Sequence, residues 1–156
     1  MQVTGLDDLT QKLNELGARA EEVAARALYD GAGVMANAYR EAAESIRAEE
    51  FRYVFNGRKR YASPEEKAAV VGKTGIARFD KNGSEVSTSI GLGGKAGYVN
   101  IGGKQKAVRK IANAINSGTS FMQKQPVFRK AARQAEKAAS EAIVAKAERL
   151  IDEITK

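Results

Sequence analysis

A continuous helical pattern occupies the last part of the chain and constrains the fold more than any other feature. It follows the turn at Ser117-Gly118 and the proline at 126, and it runs from about Val127 to Ile154 with alanine at most apolar positions. An alanine face buries little area by itself, at about 25 cal/mol per Å². The pattern predicts a long helix whose apolar face needs a neighbouring surface. The residues on or near that face are Phe128, Ala131, Ala135, Ala138, Ala142, Ala145 and Leu150.

A second long amphipathic pattern opens the chain. From Leu6 to Ile46, apolar residues recur at spacings of three and four, with a slip near Gly31. Glycine inside a helix costs about 1 kcal/mol relative to alanine. A break or kink is therefore expected between Asp30 and Gly33, which predicts two helical pieces or one bent helix.

A short helix is marked between these two patterns. Ser63 is a good N-cap, Pro64 suits the first helical position, and Glu66 stands at the third position. The helix is predicted to run through about Val71 and to end at Gly72.

Residues 73–103 change character towards β-formers separated by glycine pairs. The segments 76–79, 85–90 and 98–101 alternate or cluster β-forming residues, and Asn82-Gly83 is a strong signal for a tight hairpin. This stretch is predicted to be a small antiparallel sheet with meander connections. Residues 104–116 return to helical spacing and predict a further helix that stops at Ser117-Gly118.

The predicted fold class is α+β: a long N-terminal helix, a small antiparallel β-sheet, a short helix and a long C-terminal helix. A chain of 156 residues suits one domain, assigned here as 1–156. Within it, 1–50 form the N-terminal helical region, 51–103 the loop and β-meander, and 104–156 a helix, the Gly/Pro elbow and the C-terminal helix.

Composition removes most enzymatic chemistry. The chain has no cysteine and no histidine, so it lacks thiolate nucleophiles, disulfides, imidazole bases and the usual zinc or haem ligands. Its paired carboxylates, such as Glu21-Glu22, are adjacent on predicted helices, where neighbouring side chains diverge. No catalytic, cofactor-binding or metal residue is assigned, no cofactor is expected, and the chain is not expected to be an enzyme.

Charge is divided unequally along the sequence. The net charge is +7, but residues 1–50 carry 5 basic and 10 acidic side chains, and residues 51–156 carry 21 basic and 9 acidic ones. Such a division favours electrostatic matching between subunits or partners, or proximity to nucleic acid. A solvated basic face is the simplest alternative.

A basic cluster lies among aromatic residues just after the first predicted helix. Its cations, which we expect at an interface with a second partner, are Arg52, Arg58, Lys59 and Arg60. The mixture also suits phosphate contact and base stacking. A basic DNA-binding architectural protein is therefore the alternative function, and nonspecific proximity to DNA stays open.

No stretch of the sequence is apolar enough to span a membrane, and the start lacks a secretory pattern. We expect a soluble protein without a membrane partner, made in a cytoplasm.

The order of elements along the chain resembles a known family. The segment Ser117-Gly118-Thr119-Ser120-Phe121-Met122-Gln123-Lys124-Gln125-Pro126-Val127-Phe128-Arg129 leads into an alanine-rich helix, and Gly5-Leu6-Asp7-Asp8-Leu9 opens the first helix. Both resemble the neck and tail-completion proteins, or head-tail joining proteins, of long-tailed bacteriophages (siphophages).

This resemblance implies a structural virion protein of the phage neck or upper tail, with a tail-completion or tail-terminator role. Relatives form homo-oligomeric rings, commonly hexamers, which join the head connector to the tail tube. The implied partners are other neck and tail proteins: the connector or stopper, the tail terminator or the tail tube. The implied location is the head-tail junction of the virion, after synthesis in the bacterial host cytoplasm. The elbow residues expected at interfaces are Thr119, Phe121, Gln125, Pro126, Phe128 and Arg129.

Overall fold

The computed structural model describes residues 6–50, 57–76, 80–82, 85–92 and 97–155, and it has the predicted α+β class. Four helices frame the molecule: α1 (Leu6–Glu44), α2 (Pro64–Val71), α3 (Val108–Ser117) and α4 (Val127–Thr155). The strands are short: β1 (Thr74–Ile76), β2 (Asp80–Asn82), β3 (Glu85–Ser87), β4 (Ile90–Leu92), β5 (Tyr98–Ile101) and β6 (Lys104–Ala107).

α1 and α4 pack antiparallel as a long helical hairpin. Tyr39 stacks on Phe128 with ring centroids 5.6 Å apart, and farther along the hairpin Lys146 Nζ lies 3.8 Å from Asp30 Oδ2. α1 of the same chain thus covers the alanine face of α4. Small residues dominate the buried positions: Val23, Ala27, Ala32, Ala36 and Ala42 on α1, and Ala131, Ala135, Ala139 and Leu150 on α4.

Two of the alanines predicted on the buried face of α4 lie outside it. Ala138 and Ala145 are exposed, whereas Ala139 is buried. The contact follows a four-residue spacing through Ala131, Ala135 and Ala139, because α1 meets α4 along this row of side chains.

Of the two outcomes expected near Gly31, the one with two separate helical pieces is wrong, and one bent helix stays a prediction. α1 continues without interruption from Leu6 to Glu44, and Gly31 serves helix packing. A Cβ at this position would contact Ile143 Cγ1 and would lie only 2.7 Å from Ile143 Cδ1 and 2.9 Å from the Ala139 carbonyl oxygen. The glycine therefore permits a close approach of the two helices.

The short helix is confirmed together with its cap. Ser63 accepts a hydrogen bond from the Glu66 backbone N–H at 3.1 Å, and the Ser63 N–H donates to Glu66 Oε2 at 3.0 Å. This is a complete capping box with proline at the first helical position. Gly72 caps the other end.

The strands form three separate two-stranded antiparallel ladders in the described part of the chain, where one meander was predicted. β1 pairs with β4. β2 pairs with β3, and both of these strands lie between β1 and β4 in the sequence. Asn82 is opposite Glu85, which confirms the predicted reversal of the chain at this point. Residues 83–84 and the predicted strand residues 77–79 lie outside the described residues. β1, β3 and β4 all contact α1.

The predicted helix over 104–116 begins too early. Residues 104–107 are β6, which pairs with β5 from Tyr98 opposite Ala107 to Ile101 opposite Lys104. Gly102 and Gly103 have φ values of 60° and 74°. Positive φ at both central residues suits a tight hairpin turn, so the chain reverses and pairs before α3 starts at Val108.

The main core lies in the globular part of the molecule, which we call the head. The end of α1, α2, α3, β5 and the segment after α3 all contribute to it. Its largest fully buried side chains are Ile46, Val70, Val108 and Ile115. The helical hairpin projects away from this head. None of the described helices combines the length and apolarity needed to cross a bilayer.

Candidate functional site

The elbow, which spans residues 118–126 and the first residues of α4 up to 129, is held by hydrogen bonds within the chain. Gly118 adopts a φ of 76° and ends α3, as predicted. Thr119 Oγ1 accepts from the backbone N–H groups of Met122 at 2.9 Å and Phe121 at 3.3 Å, and the Thr119 N–H donates to the Met122 carbonyl at 3.0 Å. Met122 is 2% exposed and anchors this turn in the core. Thr119 thus shapes the elbow from within.

Two further contacts attach the elbow to distant segments. The Arg60 N–H donates to the Phe121 carbonyl at 2.9 Å, and the Gln123 N–H donates to the Arg60 carbonyl at 2.8 Å. Gln125 Oε1 accepts from the Arg47 N–H at 2.8 Å, while its Nε2 donates to the Arg47 carbonyl at 3.1 Å. The elbow therefore fixes the direction in which α4 leaves the head.

The remaining elbow residues differ in accessibility. Phe128 is half-buried against Tyr39. Pro126 and Arg129 are exposed, and Phe121 keeps 48% of its surface exposed. Of the six elbow residues predicted at interfaces, these three are the ones that a partner can reach over much of their surface.

Glu66 is a buried carboxylate in the basic head. It is 3% exposed. Its oxygens accept from Arg60 Nη1 at 2.7 Å, Arg60 Nη2 at 3.0 Å and Lys106 Nζ at 3.2 Å, besides the Ser63 N–H. Burial alone raises the pKa of Glu66. The hydrogen bonds from Arg60 and Ser63, the charge of Arg60 and the Lys106 bond outweigh burial and lower the pKa to about 2.

The members of the predicted basic cluster differ in where the structure places their side chains. Arg60 points inward to Glu66 and is partly buried, with its guanidinium 5.9 Å from the ring centroid of Phe121. Arg58 and Lys59 are exposed. Arg52 lies outside the described residues. Arg60 therefore organises the site, whereas Arg58 and Lys59 are available to a partner.

A surface groove of about 420 Å³ lies beside this ion cluster, and we call it the head groove. Tyr98 is 66% exposed and, with Phe121, supplies its exposed aromatic surface. Its lining includes Tyr98, Lys106, Lys110, Ile111, Phe121 and Met122. Aromatic side chains beside cations suit an apolar segment that carries acidic residues.

Sequence reasoning missed this groove. In the sequence, Lys106 and Lys110 belong to a stretch with four cations over residues 104–110, and Tyr98 belongs to a predicted strand. Only the turn at Gly102-Gly103, which pairs residues 98–101 with 104–107, brings them together. The capping signal located Glu66 on its helix without indicating its bonds to Arg60 and Lys106.

A second cavity of about 370 Å³ lies among α1, the β1–β4 ladder, α3 and the start of α4. Arg109, Asn113 and Asn116 line it from α3, beside Tyr39 and Phe128. The buried Asn116 Oδ1 accepts no hydrogen bond from any described residue. This oxygen is available to an N–H or O–H donor of suitable reach.

The head groove and the second cavity are both suited to binding another molecule. In the described residues, no group of three His, Cys, Asp or Glu side chains is placed to hold a metal ion. No protein-family model, curated protein sequence or solved structure matches this chain.

Proposed function

We propose that this chain is a structural virion protein of the neck or upper tail of a long-tailed phage. Copies form a ring that joins the head connector to the tail tube, in a tail-completion or tail-terminator role. The observation that carries the proposal is the exposure of large apolar side chains along the hairpin and on the head of an elongated molecule. They are Leu13, Tyr29, Val144 and Ile151 on the hairpin, and Tyr98 and Phe121 on the head. Separated apolar surfaces support an assembly with more than one interface.

The elbow supports the same proposal. The Thr119 hydrogen bonds within it and the Gln125 hydrogen bonds to Arg47 fix the angle between α3 and α4. A fixed angle is useful in a ring, because each subunit must present its interfaces in the same relative orientation for the ring to close. The specific assignment to a phage neck rests on the resemblance of the elbow sequence and the first helix to that family. The proposed mechanism is non-catalytic.

DNA binding is the second candidate, and one observation favours it. Exposed cations on the described part of the head include Arg58, Lys59, Lys104, Arg109 and Lys110. A protein that uses them on DNA would lose affinity steeply as salt rises, because phosphate contacts release counterions.

The decisive experiment locates the chain in phage particles. An epitope-tagged copy is expressed from a phage genome that encodes this chain, and purified particles are examined by immunogold electron microscopy. We expect label at the head-tail junction, and we expect deletion of the gene to yield separate heads and tails. Replacing Phe121 by Ser together with Arg129 by Glu should reduce joined particles about tenfold. Lys137→Glu, at an exposed position on α4, serves as the charge control.

Particles that contain no copy of the chain would contradict the neck assignment. If the purified protein is also retained on duplex DNA and is released by moderate salt, the DNA-binding function replaces it.

A further inference from the structure

The apolar stripe of α1 that packs against α4 continues along α1 beyond the point where α4 ends. Leu13 and Leu16 extend the three-and-four spacing of Ala20, Val23 and Ala27 towards the start of α1. The last turns of α4, at Leu150 and Ile154, lie against residues 19–26 of α1. Leu13 is 59% exposed. In the described side chains of residues 10–18, the stripe that α4 covers elsewhere is therefore open at Leu13 and half-buried at Leu16. We call residues 6–18 the α1 overhang.

The α1 overhang is acidic. It contains three acidic side chains and one basic one, and it belongs to residues 1–50, which carry 10 acidic and 5 basic side chains. Two overhangs would repel each other if they paired side by side, so their leucines are better covered by a basic surface.

The head groove has the complementary character. Tyr98 and Phe121 offer exposed aromatic surface, and Ile111 and Met122 add apolar lining. Lys110 is exposed, and the described residues hold no ion pair for it. With Arg60 and Lys106 also lining the groove, its cations outnumber its one carboxylate, Glu66.

The overhang and the groove lie at opposite ends of the molecule. Leu13 is separated from the end of α1 at Glu44 by a continuous helix, about 45 Å long at 1.5 Å per residue. The head core, with Ile46, lies beyond that end. A continuous helix cannot fold back, so the overhang of one chain reaches only the groove of another copy.

We propose that the α1 overhang of one copy docks in the head groove of the next, with Leu13 and Leu16 against Tyr98 and Phe121. This inference rests on the proposed assembly function and gives it a specific contact. The interface is heterologous, because two different surfaces meet. Repetition of such a contact closes into a ring when the rotation between neighbours allows it.

The test uses two variants that each disable one side. Leu13→Glu disables the overhang, and Tyr98→Ser disables the groove. Both positions are largely exposed, so the fold of the single chain is retained. The full-length chain should self-associate in analytical ultracentrifugation, and each variant should associate about tenfold more weakly. Lys110→Glu should act like Tyr98→Ser, whereas the control Lys137→Glu should leave association unchanged.

Mixing the two variants gives the sharpest result. Each retains the surface that the other lacks, so one intact contact forms per pair, and an equimolar mixture should produce a 1:1 dimer and nothing larger. A mixture that stays monomeric, or single variants that associate like the unmodified chain, would overturn the proposed contact. If the tagged chain still marks the head-tail junction of phage particles, the proposed function stands although the contact is wrong.

Discussion

At the scale of single residues, Glu66 connects the folding of the head to its surface. Its side chain completes the cap of α2 through Ser63, and it also holds Arg60 and Lys106 at the edge of the head groove. The Arg60 backbone in turn bonds to the elbow at Phe121 and Gln123. One buried carboxylate thus orients the cations and supports the turn beside which a partner would bind.

Replacing Glu66 by Gln should lower the free energy of unfolding at pH 7 by about 3 kcal/mol, which corresponds to the displacement of its pKa from 4.5 to about 2. Glutamine keeps the shape of the cap but leaves Arg60 without a buried counter-charge. Urea unfolding measures the loss. Glu65→Gln, the neighbouring exposed position, is the matched control and should cost well under 1 kcal/mol.

The lowered pKa of Glu66 also predicts that the effect of Glu66→Gln on the free energy of unfolding depends on pH. The pKa of Glu66 is lower in the folded protein than in the unfolded chain, so its stabilisation is complete above about pH 4.5 and disappears as pH falls towards 2. The difference in unfolding free energy between the unmodified chain and Glu66→Gln should shrink across that window. A difference that stays constant from pH 7 to pH 2.5 would mean that the charge of Glu66 is not the source of its effect.

At the scale of elements, local signals predicted the helices well, and distant contacts decided the rest. Ser63 and Gly118 mark helix ends by hydrogen bonds or backbone angles that involve neighbouring residues, so the sequence reveals them. The role of Gly31 cannot be seen in the local sequence, because it depends on Ile143, which lies more than 100 residues away in the chain. The same limit applies to the head groove, where Tyr98, Lys110 and Phe121 come from three elements.

Gly31→Ala should destabilise the hairpin although alanine is the better helix former. The added methyl group meets Ile143 and the Ala139 carbonyl, and overpacking of this kind costs about 1–3 kcal/mol. Gly33→Ala is the matched control. Outside the backbone of its own helix, no described atom lies within 4 Å of its Cβ position, so that variant should gain up to about 1 kcal/mol. Thermal unfolding followed by circular dichroism reports both changes with opposite signs.

A double substitution separates the effect of the contact between positions 31 and 143 from the effect of helix propensity. Adding Ile143→Ala should recover part of the loss caused by Gly31→Ala, because the clash with the Ile143 side chain disappears while the close contact with the Ala139 carbonyl oxygen remains. Equal stability gains for Gly31→Ala and Gly33→Ala would show that the two helices do not approach closely at Gly31.

At the scale of the whole molecule, stability should be graded from the head to the free end of the hairpin. The head holds the fully buried residues Ile46, Val70, Val108 and Ile115, whereas the described side chains of the α1 overhang lie beyond the part of α1 that the end of α4 contacts. A helix segment without tertiary contacts is marginal in water. The end that is least stable in the single chain is also the end that carries the open leucine stripe.

Hydrogen exchange measured by mass spectrometry should resolve this gradient. In monomeric Tyr98→Ser, amides of residues 10–18 should exchange at least about tenfold faster than those of residues 27–43, because only the latter pack against α4 or the head. In the self-associated unmodified chain, residues 10–18 and the groove strand 98–101 should slow down together, since each covers the other across the proposed contact. Slowing of one segment without the other would point to a different surface at the subunit contact. Equal exchange along all of α1 in the monomer would mean that the overhang has cover that the structure of the single chain does not contain.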